Sequence, residues 1–102
     1  ALVIRAAPGT VLLLGCAHAG VINTLEHVKR LTGESAVHAV IGGMHLGNAS
    51  EERIARTVAA LHEAQVHLVA PLHCTGEKAA AALRDSFGDR CVSAPGGTAL
   101  AF

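Results

Sequence analysis

Short apolar runs alternate with amphipathic stretches along the whole chain, and this alternation limits the possible folds more than any other feature. ALVIR and TVLLLGC, joined by AAPG, predict a β-hairpin, and AVHAVIGG and QVHLVAP predict buried strands. RCVSAPGGTALAF predicts two short strands around a Pro-Gly-Gly turn. The predicted order is β-β-α-β-α-β-α-β-β. Because helices link the inner strands, we expect an α/β fold with a mixed sheet that helices cover on at least one face.

Three stretches have the apolar spacing of amphipathic helices. The first runs from Gly20 to Leu31 and ends at Gly33, which suits a left-handed cap. Its expected inward residues are Val21, Leu25, Val28 and Leu31. The second is ASEERIARTVAALHEA, with Asn48 or Ser50 as N-cap. The third is GEKAAAALRDSFG, for which Thr75 is the expected N-cap and Gly88 the end.

Composition excludes several classes of function. Eight basic and eight acidic side chains give no net charge, so nothing favours nucleic acid or an acidic membrane as partner. The chain has two Phe and neither Trp nor Tyr, which disfavours base stacking, and it has no membrane-spanning apolar stretch. Three cysteines without a CxxC pair favour a reducing cytoplasm. Since the 102 residues begin abruptly on an apolar run, we expect a piece of a longer protein.

Histidine is the unusual residue, with seven in so short a chain. His18, His45 and His73 each follow a different predicted strand. Because parallel strands place their carboxyl ends at one edge of a sheet, we expect the three imidazoles at the same edge. Neutral imidazole suits zinc and iron, so the spacing indicates a metal site. The other histidines are expected on helices in solvent (His27, His62) or within strands, where they are packed or face the sheet edge (His38, His67).

The stretch PLHCTG places His73 and Cys74 next to a helix start. A cysteine-dependent phosphatase would need Arg six residues after the Cys, but that position is Ala80, and CTGEKA also lacks the pattern of a nucleotide-phosphate loop. Three helices begin at the same edge, near Gly20, Ser50 and Gly76, and free N–H groups there favour an anion. The candidate substrate-binding residues are Gly20, Cys74, Thr75 and Gly76.

Three segments together resemble a known family: LLLGCAHAGVINTLEHVKRLTG, VHAVIGGMHL and VAPLHCTGEKAAAAL. The combination of GCAHAG, IGGMHL and LHCTG is similar to the C-terminal half of metallo-β-lactamase-fold metallohydrolases, in particular the dihydropterin-ribofuranosyl-aminobenzene-phosphate synthase-like subgroup. The resemblance extends over essentially the whole chain. It implies half of a four-layer αββα sandwich with one or two metal ions at its edge. These are usually zinc, sometimes iron or manganese, and they activate water for hydrolysis.

The resemblance also implies roles for four residues. His73 matches the last histidine ligand of the family, and His18 falls where the family has its mid-chain histidine or bridging acid. Cys16 takes the place at which many members have a metal-binding aspartate and some a cysteine. His45 would be a further ligand or would face the substrate.

One motif of the family is absent. The principal metal motif, His-x-His-x-Asp-His, belongs to the N-terminal half, and no such string occurs in this chain. The resemblance therefore implies that residues 1–102 form a C-terminal half-domain. The parent protein would hydrolyse a small anionic ester or phosphoester, and the isolated half would be inactive.

Two other interpretations remain open at the level of sequence. One is a non-catalytic α/β module that binds anions or oligomerises and in which the histidines are structural. The other is a cysteine-based phosphatase or redox protein, which would need a strongly lowered pKa at Cys74. Half of a sandwich exposes an apolar sheet face, so we expect self-association or pairing with the missing half.

Overall fold

Four strands and three helices follow one another in the predicted order. The computed structural model describes residues 1–7, 9–18, 20–34 and 36–92. The elements are β1 (Leu2–Ala6), β2 (Gly9–Leu14), α1 (Val21–Thr32), β3 (Ala39–Gly43), α2 (Glu51–Glu63), β4 (Leu68–Leu72) and α3 (Glu77–Phe87). The sequence also predicts two short strands at the end of the chain. At their start, Cys91 forms an isolated parallel bridge with Val69, and the rest of the predicted strands lies in 93–102, outside the described residues.

The sheet has the order β1-β2-β3-β4. β1 and β2 pair antiparallel, as expected of a hairpin, whereas β2, β3 and β4 are parallel because a helix connects each to the next. The carboxyl ends of these three strands therefore lie at one edge. The predicted α/β class with a mixed sheet is confirmed.

One face of the sheet and all three helices share the hydrophobic core. Val3, Leu12, Val40 and Val69 lie side by side across the four strands. They pack with the buried residues of every helix, including Leu25, Leu61 and Leu83. The other face is also apolar but more open: Leu13 and Ile41 are half-buried, and Leu2 is 58% exposed. No helix within the described ranges is long and apolar enough to span a membrane.

The helix ends agree with the sequence at most positions. Gly33 ends α1 in the left-handed region with φ 71°, and its N–H donates to the carbonyl of Lys29. The side chain of Ser50 caps α2 by accepting from the N–H of Arg53 at 3.1 Å. Gly88 follows the last residue of α3, as expected.

The prediction of Thr75 as N-cap of α3 was wrong. Residues His73–Thr75 form a 3₁₀ turn, and Gly76 caps the helix with φ 82°. Such a positive φ suits glycine, and the Thr75 hydroxyl is engaged elsewhere. It donates to the carbonyl of Leu72 at 2.8 Å and accepts from the N–H of Met44 at 3.2 Å.

Three further side chains lie differently from the prediction. Leu31 is 68% exposed, because it falls about 80° around the helix from Val21 at 100° per residue. His38 and His67 precede β3 and β4 rather than lying within them. Their rings stack at a centroid distance of 5.3 Å, at the sheet edge opposite the expected site.

Candidate functional site

Three loops meet at the edge formed by the carboxyl ends of β2, β3 and β4. The N–H of Gly43 donates to the carbonyl of Gly15 at 3.0 Å and joins the first two loops. The N–H of Leu46 donates to the carbonyl of Cys74 at 3.1 Å and joins the second loop to the third. The buried hydroxyl of Thr75 adds a link to Met44. The edge is therefore held by hydrogen bonds between loops that are distant in sequence.

Two of the three predicted histidines meet at this edge. The rings of His18 and His45 stack with their centroids 4.4 Å apart and their planes 23° from parallel. Both residues are exposed, so solvent reaches the pair. His45 has φ 52°, and Ala17, just before His18, has φ 54°. A positive φ is uncommon for residues other than glycine and is often found at functional sites. The side chain of His73 lies outside the described part of the chain.

Cys16 and Cys74 lie between these loops. The Sγ atom of Cys74 accepts from the N–H of His45 at 3.2 Å and donates to the carbonyl of Cys16 at 3.5 Å. Burial raises the pKa of the Cys16 thiol, and the neighbouring Cys74 thiol raises it further. Both cysteines are free thiols. Cys74 thus contacts the backbone of both neighbouring loops, a role that its position in the sequence does not reveal.

The candidate substrate-binding residues fall into two groups. Gly20 and Gly76 begin α1 and α3 with φ values of 94° and 82°, and neither helix has a side-chain cap. A Cβ on Gly76 would lie 2.6 Å from the Cα of Gly47, so the loop after β3 packs directly on the start of α3. Thr75, by contrast, is only 2% exposed and links the loops. That Gly20, Cys74, Thr75 and Gly76 contact a substrate stays a prediction.

The donor atoms at the edge suit a metal ion only in part. Imidazole nitrogen and thiolate sulfur are the ligands that zinc prefers. His18 and His45 lie together, with Cys16 in the loop of His18. Across the described residues, however, no three His, Cys, Asp or Glu side chains come together as a metal site. The described side chains therefore supply part of a zinc-type donor set and do not form a complete one.

Arginine at this edge was missed by the sequence analysis. A cleft of about 380 Å³ beside the stacked histidines is lined by His45, Cys74 and Arg53, among others. Arg53 also lines a neighbouring cleft of about 230 Å³ together with Arg56 and Gly20. One feature of the sequence could have indicated it: Arg53 falls in the first turn of α2, where the helix dipole favours acidic residues.

The fold is similar to that of one class of protein, the metal-dependent hydrolases of the β-lactamase superfamily. The chain superposes on the crystal structure of one such hydrolase, Tm1679, with a TM-score of 0.91 and 33% identity. The match covers 98% of this chain and 39% of that one. No family model matches the sequence.

Two proteins of Methanocaldococcus jannaschii are also similar. The 7,8-dihydropterin-6-methyl-4-(β-D-ribofuranosyl)-aminobenzene-5'-phosphate synthase is 39% identical over 71 residues, which is 70% of this chain and 24% of the synthase. The uncharacterized protein MJ0448 is 39% identical over 69 residues, which is 68% of this chain and 25% of that protein. The chain thus spans about a quarter of the length of the curated relatives it matches.

Proposed function

We propose that the chain is the C-terminal half of a metal-dependent hydrolase of the metallo-β-lactamase superfamily. The full-length protein would hydrolyse an ester or phosphoester of a small anionic substrate. The observation that supports this most strongly is the superposition on Tm1679, because a TM-score of 0.91 over 98% of the chain accompanies 33% sequence identity. The dihydropterin-type name of one relative supports a phosphorylated substrate, since that name contains a 5'-phosphate.

His18 and His45 would hold part of the metal centre, with Cys16 and His73 as the further ligands that the resemblance suggests. We propose zinc, with iron or manganese as alternatives. When bound, such an ion lowers the pKa of its water and polarises the ester oxygen. The residues of this chain would position the ligands: the contact of the Cys74 Sγ with the His45 N–H holds the backbone of that histidine.

The starts of α1 and α3 would bind the anionic part of the substrate. Each begins at a glycine, which makes no side-chain cap hydrogen bond, and both follow a loop at the site edge. An anion is favoured there by these donors and by the positive end of each helix dipole. Ser50, in contrast, caps α2 with its own hydroxyl, so that helix start offers one donor fewer.

The missing half would cover the open face of the sheet. Leu13 and Ile41 are adjacent on β2 and β3 and half-buried, and Leu2 on β1 lies beside Leu13. An apolar sheet face of this kind favours a second sheet, as in β-sandwich packing. In the absence of that half, we expect the face to cause self-association.

Hydrolysis by the full-length protein tests the proposal. Bis-p-nitrophenyl phosphate and p-nitrophenyl acetate would be assayed before and after treatment with EDTA and after addition of zinc, iron or manganese. We expect EDTA to abolish the hydrolysis and added metal to restore it. We also expect His45→Ala to lower the rate of hydrolysis strongly. His27→Ala, which changes an exposed histidine of α1, is the matched control and should retain activity. Hydrolysis that EDTA and His45→Ala leave unchanged would refute the proposal.

A further inference from the structure

Two arginines beside the site have no acidic partner among the described residues. The chain has eight Lys and Arg residues. Arg5, Lys29, Lys78 and Arg84 each pair with a glutamate, and Arg90 lies over the ring of Phe87. The three that remain are Arg30, Arg53 and Arg56. Only Arg53 and Arg56 share a cleft, the one of about 230 Å³ between α1 and α2.

The polar groups of this cleft converge on Gly20. The Nη2 atom of Arg53 lies 3.9 Å from the position that a Cβ would occupy on Gly20. The side-chain nitrogen of Asn23 lies 3.8 Å from the same position. Because Gly20 has no side chain, a small ligand can approach the guanidinium group of Arg53. Arg53 also lines the cleft that contains His45, so the two clefts adjoin at its side chain.

The first turn of α2 carries Glu51 and Glu52 as well as Arg53, but neither glutamate pairs with Arg53 or Arg56 among the described residues. Arg53 lies in the first turn of α2, three residues after the Ser50 cap, where a positive charge opposes the helix dipole. Arg56 follows at the i+3 position and therefore lies on the same side of the helix, where it lines the cleft together with Arg53. A ligand with two negative charges would be attracted by both guanidinium groups. Arginine binds carboxylate and phosphate alike through paired hydrogen bonds, but a phosphate group has three acceptor oxygens and more negative charge to share between two guanidinium groups.

We propose that Arg53 and Arg56 form a subsite for the phosphate group of a phosphomonoester. A phosphomonoester carries close to two negative charges at neutral pH. The cleft is smaller than the roughly 300–1,000 Å³ typical of complete ligand sites, which suits a single group of a larger molecule. The remainder of that molecule would extend past Arg53 into the cleft beside His45. The use of this subsite for the substrate rests on the proposed function, whereas phosphate binding does not.

Binding of phenyl phosphate to the full-length protein tests the subsite directly. The protein would be stripped of metal with EDTA, so that binding does not depend on a metal centre, and titrated calorimetrically at low salt. We expect Arg53→Gln and Arg56→Gln each to weaken binding at least tenfold, because tenfold, or about 1.4 kcal/mol, is near the lower limit of the contribution of a hydrogen bond to a charged group. Arg30→Gln removes an exposed arginine of α1 that, within the part of the chain the structure describes, has no acidic partner, and this variant should bind as the wild type does. Circular dichroism would verify that the variants are folded.

The outcomes separate this proposal from the function. Equal binding by the wild type and the Arg53→Gln, Arg56→Gln double variant would overturn the subsite, as would the absence of binding. Diphenyl phosphate, a diester with one charge, should bind more weakly than phenyl phosphate, and equal affinity would refute a dianion site. If the arginine variants lose binding while the wild type hydrolyses no ester, the subsite stands and the proposed hydrolase is refuted. If the wild type hydrolyses an ester but does not bind phenyl phosphate, the proposed hydrolase stands and the subsite is refuted.

Discussion

Replacement of Thr75 by Val should destabilise the protein through two hydrogen bonds at the site edge. The hydroxyl accepts from the N–H of Met44, which is fully buried, and donates to the carbonyl of Leu72. Valine has nearly the same shape, so no cavity forms. A buried N–H without an acceptor costs about 1–3 kcal/mol, and a lost hydrogen bond about 1 kcal/mol. Because valine is itself favoured in an apolar environment, we expect a net loss of about 2 kcal/mol in the free energy of unfolding.

Thr57→Val is the matched control for this prediction. Thr57 is also buried, but its hydroxyl donates to the carbonyl of Arg53 one turn earlier in the same helix. That carbonyl already accepts a backbone hydrogen bond of the helix. Loss of the Thr57 hydroxyl should therefore lower the free energy of unfolding by less than about 0.5 kcal/mol. Urea unfolding followed by far-UV circular dichroism measures both, since the chain lacks Trp and Tyr for fluorescence. Equal destabilisation by the two variants would refute the role given to Thr75.

Three further predictions concern single side chains. Gly76→Ala should lower the free energy of unfolding by more than about 2 kcal/mol, because its Cβ would lie 2.6 Å from the Cα of Gly47. Gly33→Ala, the control, has open space around it and should lower this free energy by about 1 kcal/mol. Urea unfolding measures both. Leu31→Ser should change the unfolding free energy by less than about 0.5 kcal/mol, because Leu31 is exposed, and a loss like that of a buried leucine would contradict its placement. Because its pKa is raised, Cys16 should react with iodoacetamide more slowly in the folded protein than in denaturant at the same pH, and equal rates would refute that shift.

The order of elements could be predicted because the apolar period changes clearly along the chain. Nearly continuous apolar runs predicted the parallel strands, and Gly33 and Gly88 predicted two helix ends, as the structure confirms. Two details depended on tertiary structure. Thr75 resembles an N-cap in sequence, but its hydroxyl is used by Met44, 31 residues away. Leu31 fits the spacing of an apolar stripe, but it lies off the buried side of the helix.

The site could be predicted in outline only. That His18 and His45 reach the same edge follows from parallel topology, and their rings indeed stack there. His45 also adopts a positive φ of 52°, which the sequence does not indicate. Arg53 was missed because an exposed arginine on a helix usually has no special role. Its significance depends on its proximity to Gly20 and on its having no acidic partner within residues 1–7, 9–18, 20–34 and 36–92, both of which are properties of the folded chain.

The metal content of the full-length protein tests the central claim most directly. The protein would be purified without a histidine tag and analysed by inductively coupled plasma mass spectrometry, beside a His18→Ala, His73→Ala double variant and a His27→Ala control. We predict near-stoichiometric zinc, iron or manganese in the wild type and the control, and a large loss of metal in the double variant. An unchanged metal content in the double variant, or no metal in the wild type, would contradict a metal centre at the carboxyl ends of these strands.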